Sequence, residues 1–439
     1  MTTTPPAYWQ PEVECMDREE LAQLQLERLE ATLSRVRRHV PFYRKSFDAA
    51  GFDADEVRSA DDLRRLPFTD KRDLMEAYPY GLFAVPLRDV VRLHATGGTG
   101  GAAIVMGYTR NDIKTWSNLM ARMLVAGGVT RDDVVQITFD YGLFTGAFGV
   151  HQGAERLGAS VIPIGSGNTK RQVKIMQDYR TTALVSTPSY ALHLAETMSG
   201  MGLAANAFSL RRALLGGEPW SEALRKRVEE ELHVTATCNY ALSEVMGPGI
   251  AGECLERDGL HVAEDQFLVE IVDPLTLEPV RPGSRGELVL TTLAKEAFPL
   301  VRYRTRELTS LVPEPCPCGR TSVRLRPVEV RTDDLLVVKG VNVYPSQVEA
   351  VLRSVQGTEP NFEIVVERPR DLDEATVLVE VSESVFFDEM RRQAEFRERL
   401  KRRLASELGV TFEVKLVEKK TLERVEGKGP GNVRDRRTR

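Results

Sequence analysis

Three groups of residues in this sequence have types and spacings that can do chemistry. The first is ATGGTGG (95–101), placed just after the short run VVRLH. Glycines let a backbone approach phosphate closely, and successive N–H groups can cradle the anion. Thr96 and Thr99 add hydroxyl donors. The GK[ST] ending of a Walker A loop is missing, and taken alone the stretch reads equally well as a surface turn. A second loop, GSGNT (165–169), is a weaker signal and reads as a strand-to-helix turn. The second group is Cys254 and His261 in GECLERDGLH, with Cys316 and Cys318 in EPCPCGRT. Three thiolates and an imidazole fit a closed, tetrahedral zinc site. The C-x-C spacing is poor for a mutual disulfide but allows two thiolates on one ion. Reduced, buried cysteines are an equal alternative. The third group is FDYGLFTGAFG (139–149), where Tyr141, Phe144 and Phe148 offer aromatic surface while Gly142, Gly146 and Gly149 leave room for a ring. Plain core packing is the alternative there.

The elements that must position these groups follow from periodicity. Leu21, Leu24, Leu29, Leu33 and Val36 fall on one face of a helix over 19–38, closed by Pro41. From 90 to 240, apolar runs (VVQIT, SVIPI, ALVS, ALLGG) alternate with helical spacing at 168–179 and 220–232. That alternation predicts an α/β fold with a parallel sheet. Residues 286–312 are β-rich, and the charged stretch VEVRTDD marks a boundary. The expected domains are therefore 1–331 and 332–439, the second a small α+β module of strands and two helices. The tail VEGKGPGNVRDRRTR reads as mobile.

Composition narrows the function classes. The chain has 439 residues, 42% of them hydrophobic, and a net charge of −5. It can bury a large core, and its acidic balance argues against nucleic-acid binding. Five cysteines in so long a chain are not a disulfide scaffold and point to a reducing cytoplasm. There is no signal-peptide pattern at the start, and no apolar run approaches the ~18 residues that cross a bilayer.

Taken in order, several segments resemble the phenylacetate–CoA ligase family of adenylate-forming enzymes. They are HVPFYR (39–44), HATGGTGGAAIVMGYT (94–109), YGLFTGAFGVHQGAERLGA (141–159), TPSYALHLAE (187–196), LGGEPWSEALR (215–225), NYALSEVMGPG (239–249), GELVLTTLAKEAFPLVRYRTRELT (286–309), RTDDLLVVKGVNVYPSQVE (331–349) and VEGK (425–428). The resemblance implies a large N-terminal α/β domain and a small mobile C-terminal lid. It implies that ATP activates an aromatic acid, benzoate- or phenylacetate-like with room for an amino or hydroxyl substituent, to an acyl-adenylate that passes to coenzyme A. Two anions must then be held together, which calls for cations and Mg²⁺.

Residue by residue, the resemblance makes Glu244 the metal-binding carboxylate and Lys428 the lysine that bridges carboxylate and α-phosphate. It assigns Thr96, Gly97, Gly98, Thr99, Gly100 and Gly101 to the phosphate loop. Gly217, Glu218 and Pro219 match the segment packed on adenine, with Tyr240 as a stacking face and Ser243 beside Glu244. Glu307 stands where ribose is held and where the family usually has Asp. Arg331 matches a nucleotide-binding arginine and Asp333 the hinge. Asp140, Tyr141, Phe144, Ala147 and Phe148 match the acyl pocket. Some members carry the same Cys254, His261, Cys316 and Cys318 positions, which favours structural Zn²⁺ acting as a clamp.

Three departures stand out. Ala102 replaces the loop's usual lysine, Glu307 replaces Asp, and EGKGPGNVRD lacks the usual basic continuation after the lysine. A lost charged hydrogen bond weakens binding by roughly 1.5–3 kcal/mol. Two alternatives therefore stay open. One is an adenylating ligase that uses an amine or carrier protein as acceptor, or that activates a non-carboxylate acid such as nitrite. The other is a non-catalytic nucleotide-binding descendant. The expected partners are a small aryl acid and a second copy in a homodimer, with no nucleic acid and no membrane.

Overall fold

The computed structural model describes residues 8–96, 103–328, 330–331, 336–338, 341–343, 345–370, 372–386, 390–422 and 431–436. It divides into two compact units, Met1–Pro327 and Val328–Arg439.

The long helix α1 (Arg18–His39) follows a single helical turn, Pro11–Glu14, near the start of the larger unit. Asp17 caps it by accepting from Glu19 N, and Arg37, Arg38 and His39 sit in its last turn, where they suit the helix dipole. Leu21, Leu29, Leu33 and Val36 are buried along one face. Pro41 has a double role. It stops α1, and it is also the first residue of the next helix, Pro41–Ala50, where a missing N–H costs nothing.

A small hairpin, β1 (Arg92–Ala95) and β2 (Val105–Tyr108), flanks the glycine loop. The strands β3 (Val134–Ile137), β4 (Ser160–Ile162), β5 (Ala183–Ser186), β6 (Arg212–Gly216) and β7 (Thr235–Leu242) are parallel neighbours. Helices join them: Gly146–Leu157, Thr169–Asp178, Pro188–Gly200 and Glu222–Leu232. The sheet does not stay parallel. β8 (Gly247–Glu253) returns from β7 through a tight turn, and so short a link permits only an antiparallel partner. β9 (Leu260–Val262) continues antiparallel, and Leu311–Val312 and Arg324–Leu325 complete nine strands. A second antiparallel sheet holds β10 (Phe267–Val272), β11 (Gly286–Thr292) and β12 (Tyr303–Thr309).

The order β4–β3–β5–β6–β7 places a topological switch between β3 and β5, because the chain leaves β3 to one side for β4 and returns to the other for β5. Ligands of such sheets bind beyond the C-terminal strand ends at that point. Helix Arg110–Ala126 packs so closely on Gly146–Leu157 that a Cβ at Gly153 would lie 2.3 Å from Met120 Cβ.

In the smaller unit, strands Thr358–Arg370 and Leu372–Val381 form a hairpin. Glu413–Glu418 lies parallel to its second strand, and helices Pro345–Arg353 and Met390–Leu408 cover a core that includes Phe362, Val377 and Leu400. The tail corrects the sequence reading. Gly431–Asp435 is a strand, parallel to Thr358–Arg370 from Phe362 to Val366.

Candidate active site

The loops after β3, β5, β6 and β7 carry the matched residues to one end of the sheet. Thr138, beyond β3, donates to Ser186 at the end of β5 (3.0 Å). Gly217 follows β6 with a φ of +83°, and a Cβ there would sit 3.7 Å from Phe139 and 3.8 Å from Thr187. Glu218 accepts from the backbone N–H of Ser189 (2.5 Å), which ties the adenine-type segment to the helix after β5. Pro219 is exposed beside it.

Glu244 stands on the turn between β7 and β8. Its residue is only 7% exposed. Among the described residues its carboxylate has no hydrogen bond and no cation. A buried carboxylate left that way costs free energy unless a cation arrives. The turn that carries it is fixed from several sides. Tyr108 Oη donates to Met246 O (2.8 Å), Trp116 Nε1 donates to Pro248 O (2.7 Å), and the hydroxyls of Thr145 and Ser243 lie 2.9 Å apart. Gly247 has a φ of +103°, and a Cβ there would lie 2.7 Å from Trp116. Only glycine fits both demands.

Tyr240 and Glu307 meet directly, the phenol donating to the Glu307 carboxylate. Glutamate's extra methylene thus brings its carboxylate to the aromatic residue expected to stack on the base. Thr96 closes the neck of the glycine loop: its N–H donates to Ile104 O (3.0 Å) and its hydroxyl accepts from Ile104 N (3.1 Å). Gly97, Gly98, Thr99, Gly100, Gly101, Ala102, Asp333 and Lys428 lie outside the described residues, and of Arg331 only the backbone is described.

The acyl-pocket set spreads out. Ala147 is buried, Tyr141 and Phe148 are half-buried with rings 5.3 Å apart, and Phe144 is 51% exposed. Asp140 is exposed and accepts from both the N–H and the hydroxyl of Ser166, so it anchors the GSGNT loop.

Cys254, His261, Cys316 and Cys318 converge, their ligand atoms all within 4.8 Å of one another. Cys254 and Cys316 sulfurs are 3.7 Å apart, and Cys318 Sγ is 3.4 Å from His261 Nε2. A tetrahedral ion with Zn–S bonds of 2.3 Å needs edges near ~3.8 Å, so the donors fit. A hydrogen bond from Cys254, then one from His261, pulls the Cys318 thiol well down, towards the thiolate a metal requires. Tyr8 Oη donates to Cys318 O (2.7 Å), and Arg320 pairs with Glu14 (2.8 Å). The knuckle therefore holds the N-terminal segment.

The AMP-binding enzyme family model matches residues 84–293, and the AMP-binding enzyme C-terminal domain model matches 340–437. A phenylacetate–coenzyme A ligase of Thermus thermophilus is 48% identical over 95% of this chain and 97% of its own. The belonging is settled by that coverage. This chain is a member of the phenylacetate–CoA ligase family. A phenylacetate–coenzyme A ligase of Escherichia coli is 43% identical over 95% of each chain. Among solved structures, a 2-hydroxyisobutyryl-CoA ligase in its postadenylation state superposes with a TM-score of 0.85 at 29% identity, over 99% of this chain and 94% of that one. Membership of this ligase family carries the coarse chemistry, in which a small acid is activated with ATP and passed to coenzyme A. No helix among the described residues is long and apolar enough to cross a membrane.

Two residues of this ligase escaped the sequence reading. Lys295 is fully buried with its Nζ 3.2 Å from the centroid of Tyr108 and 3.7 Å from Met246 Sδ. It therefore underlies the Glu244 turn. Burial lowers its pKa to about 7, with Asp112 opposing the shift. His151 accepts from or donates to Tyr141 Oη through Nδ1 (3.1 Å) and lies 3.1 Å from Glu155 through Nε2. Its i,i+4 spacing to Glu155 was a readable signal.

Proposed function

We propose that this enzyme adenylates an aromatic acid of the phenylacetate type and transfers the acyl group to coenzyme A. The observation that carries this is Glu244, a nearly buried carboxylate with no cation among the described residues, fixed at the switch-point end of the sheet. It can hold Mg²⁺, which when bound would neutralise phosphate charge. Ser243 and Thr145 set the turn beside it. Gly217, Glu218, Pro219 and Tyr240 form the adenine side, and Glu307 and Arg331 receive the ribose and phosphates. Lys428, on a lid that hinges at Asp333, places its ammonium between the acid's carboxylate and the α-phosphate. Tyr141, Ala147 and Phe148 wall the acyl group, with Phe144 and Asp140 at the rim. Ala147 and Phe148 in that wall, with the exposed carboxylate of Asp140 at its rim, support a short pocket with a polar edge.

Pyrophosphate release with a panel of aryl acids, with and without coenzyme A, tests the reading. Acid-dependent release and coenzyme A-dependent thioester are expected. Release with no thioester formed would move the acceptor to an amine or carrier protein, and no acid-dependent turnover would refute adenylation.

Structural zinc belongs to the same proposal. Metal analysis of protein prepared without chelators should find about one zinc per chain. Stripping it should lower the melting temperature, since the ion would clamp the knuckle and the segment around Tyr8 and Glu14. A metal-free preparation that is fully folded and active would overturn this.

A further inference from the structure

The rim of the acyl pocket contains hydrogen-bonding groups that neither adenylation nor thioester formation uses. His151 Nε2 faces Glu155 Oε1 at 3.1 Å. A carboxylate only accepts, so Nε2 carries the hydrogen, and in the neutral ring Nδ1 is a bare acceptor. The hydroxyl 3.1 Å from that Nδ1 must then be the donor. Tyr141 therefore spends its only hydrogen on His151. Burial pushes the Tyr141 hydroxyl well above its ordinary pKa, so it stays protonated. Its remaining lone pair has no partner among the described residues. Glu155 thus fixes His151, and His151 fixes Tyr141 as an acceptor towards the pocket.

A second acceptor also lies near Phe148. His94 is 2% exposed, with its ring 5.8 Å from that of Phe148. Its Nδ1 lies 3.0 Å from Leu143 O, a carbonyl, so Nδ1 carries the hydrogen. Burial lowers its pKa, which keeps the ring neutral and Nε2 a lone pair. That Nε2 is buried without a partner. Arg92, two residues earlier on the same face of β1, stacks over Phe148 at 5.1 Å, and its buried Nη1 also lacks a partner. Buried polar groups are rarely left unmatched unless a ligand or water completes them.

Two acceptors and one donor surround one aromatic ring. A hydroxyl on an aryl acid donates one hydrogen and accepts through its lone pairs, so it can satisfy one of these acceptors together with the donor. We infer that the acid this enzyme prefers carries a ring hydroxyl that donates to Tyr141 and accepts from Arg92, with His151 as the positioning residue that sets the polarity of Tyr141. This rests on the reading of the site as an aryl-acid adenylating centre.

The test compares kcat/KM for phenylacetate, the three hydroxyphenylacetates and their fluoro counterparts, at pH 8, where imidazole is ordinarily neutral. Fluorine is similar in size to hydroxyl but donates nothing. The best hydroxy acid should exceed its fluoro analogue at least tenfold. His151→Phe frees the Tyr141 hydrogen and should shrink that ratio to within about threefold, whereas His151→Gln, whose amide oxygen can still accept, should retain most of it. A wild-type ratio of one or less at all three ring positions overturns the inference, as does an unchanged ratio in His151→Phe. If His151→Phe does not fold, the wild-type ratio and His151→Gln decide. Turnover of every acid without discrimination defeats only this inference, whereas no turnover of any acid defeats the adenylation reading beneath it.

Discussion

Replacing Lys428 by alanine is expected to lower acid-dependent pyrophosphate release by about 10²–10³-fold, while thioester formation from a supplied acyl-adenylate changes little. In the first half-reaction a carboxylate must attack an α-phosphate, and both partners are anions. A cation between them is worth most in the transition state, where negative charge gathers at the phosphorus. The loop makes that dependence sharper, because Ala102, in the position the family resemblance expects to be lysine, supplies no charge. In the second half-reaction the leaving group is already an adenylate, and the attacking thiol needs no ammonium at that point. Rapid-quench measurement of the two half-reactions separates the roles. Equal losses in both would refute the assignment.

Lys295→Met should make the enzyme more stable at neutral pH. The folded pKa of Lys295 is about 7, against the ordinary value of 10.5. Below pH 7 the folded protein must hold a buried charge, and the cost is then complete. Between pH 7 and 10.5 the unfolded chain binds the extra proton, so wild-type stability rises with pH and the cost fades. Each pKa unit corresponds to about 1.4 kcal/mol, and allowing for local relaxation the gain at pH 6.5 is roughly 2–4 kcal/mol. Asp112 is not stranded by the substitution, since it accepts from the N–H groups of Thr109, Glu296 and Ala297. Thermal unfolding at pH 6.5 and 9.5 checks this. The advantage of the variant should shrink at the higher pH, and a variant less stable at both would show that Lys295 is held as a favourable cation. A lysine kept at such a cost under the Glu244 turn is one expected to matter for activity.

Much of the architecture could be read from local pattern. ALVS and VVQIT are buried on both faces, and runs of that kind belong to parallel strands between helices. The switch to antiparallel pairing after β7 was not read, because it depends on the four-residue link 243–246 rather than on any apolar period. The metal-type cluster was legible because cysteine and histidine are rare and their types alone suggest a ligand set. The Tyr240–Glu307 contact was not, since 67 residues separate the pair and neither looks unusual alone. His151 and Lys295 were missed for another reason. Their significance comes from what surrounds them, and a buried amine against an aromatic face has no sequence signature. The strand Gly431–Asp435 was hidden by glycines and charges that read as a loose tail, yet an edge strand needs only backbone pairing with Thr358–Arg370.

That last strand changes how the lysine in front of it should be regarded. Lys428 is three residues from Gly431, and Gly431 is pinned beside Phe362. Three residues of chain span at most about 10 Å. The chain just after the proposed lysine is therefore held at the edge of a sheet rather than ending in a free tail. A short tether keeps the effective concentration of a group high wherever its anchor is carried. Cutting the chain after residue 430 would keep the lysine in the sequence and remove that anchor.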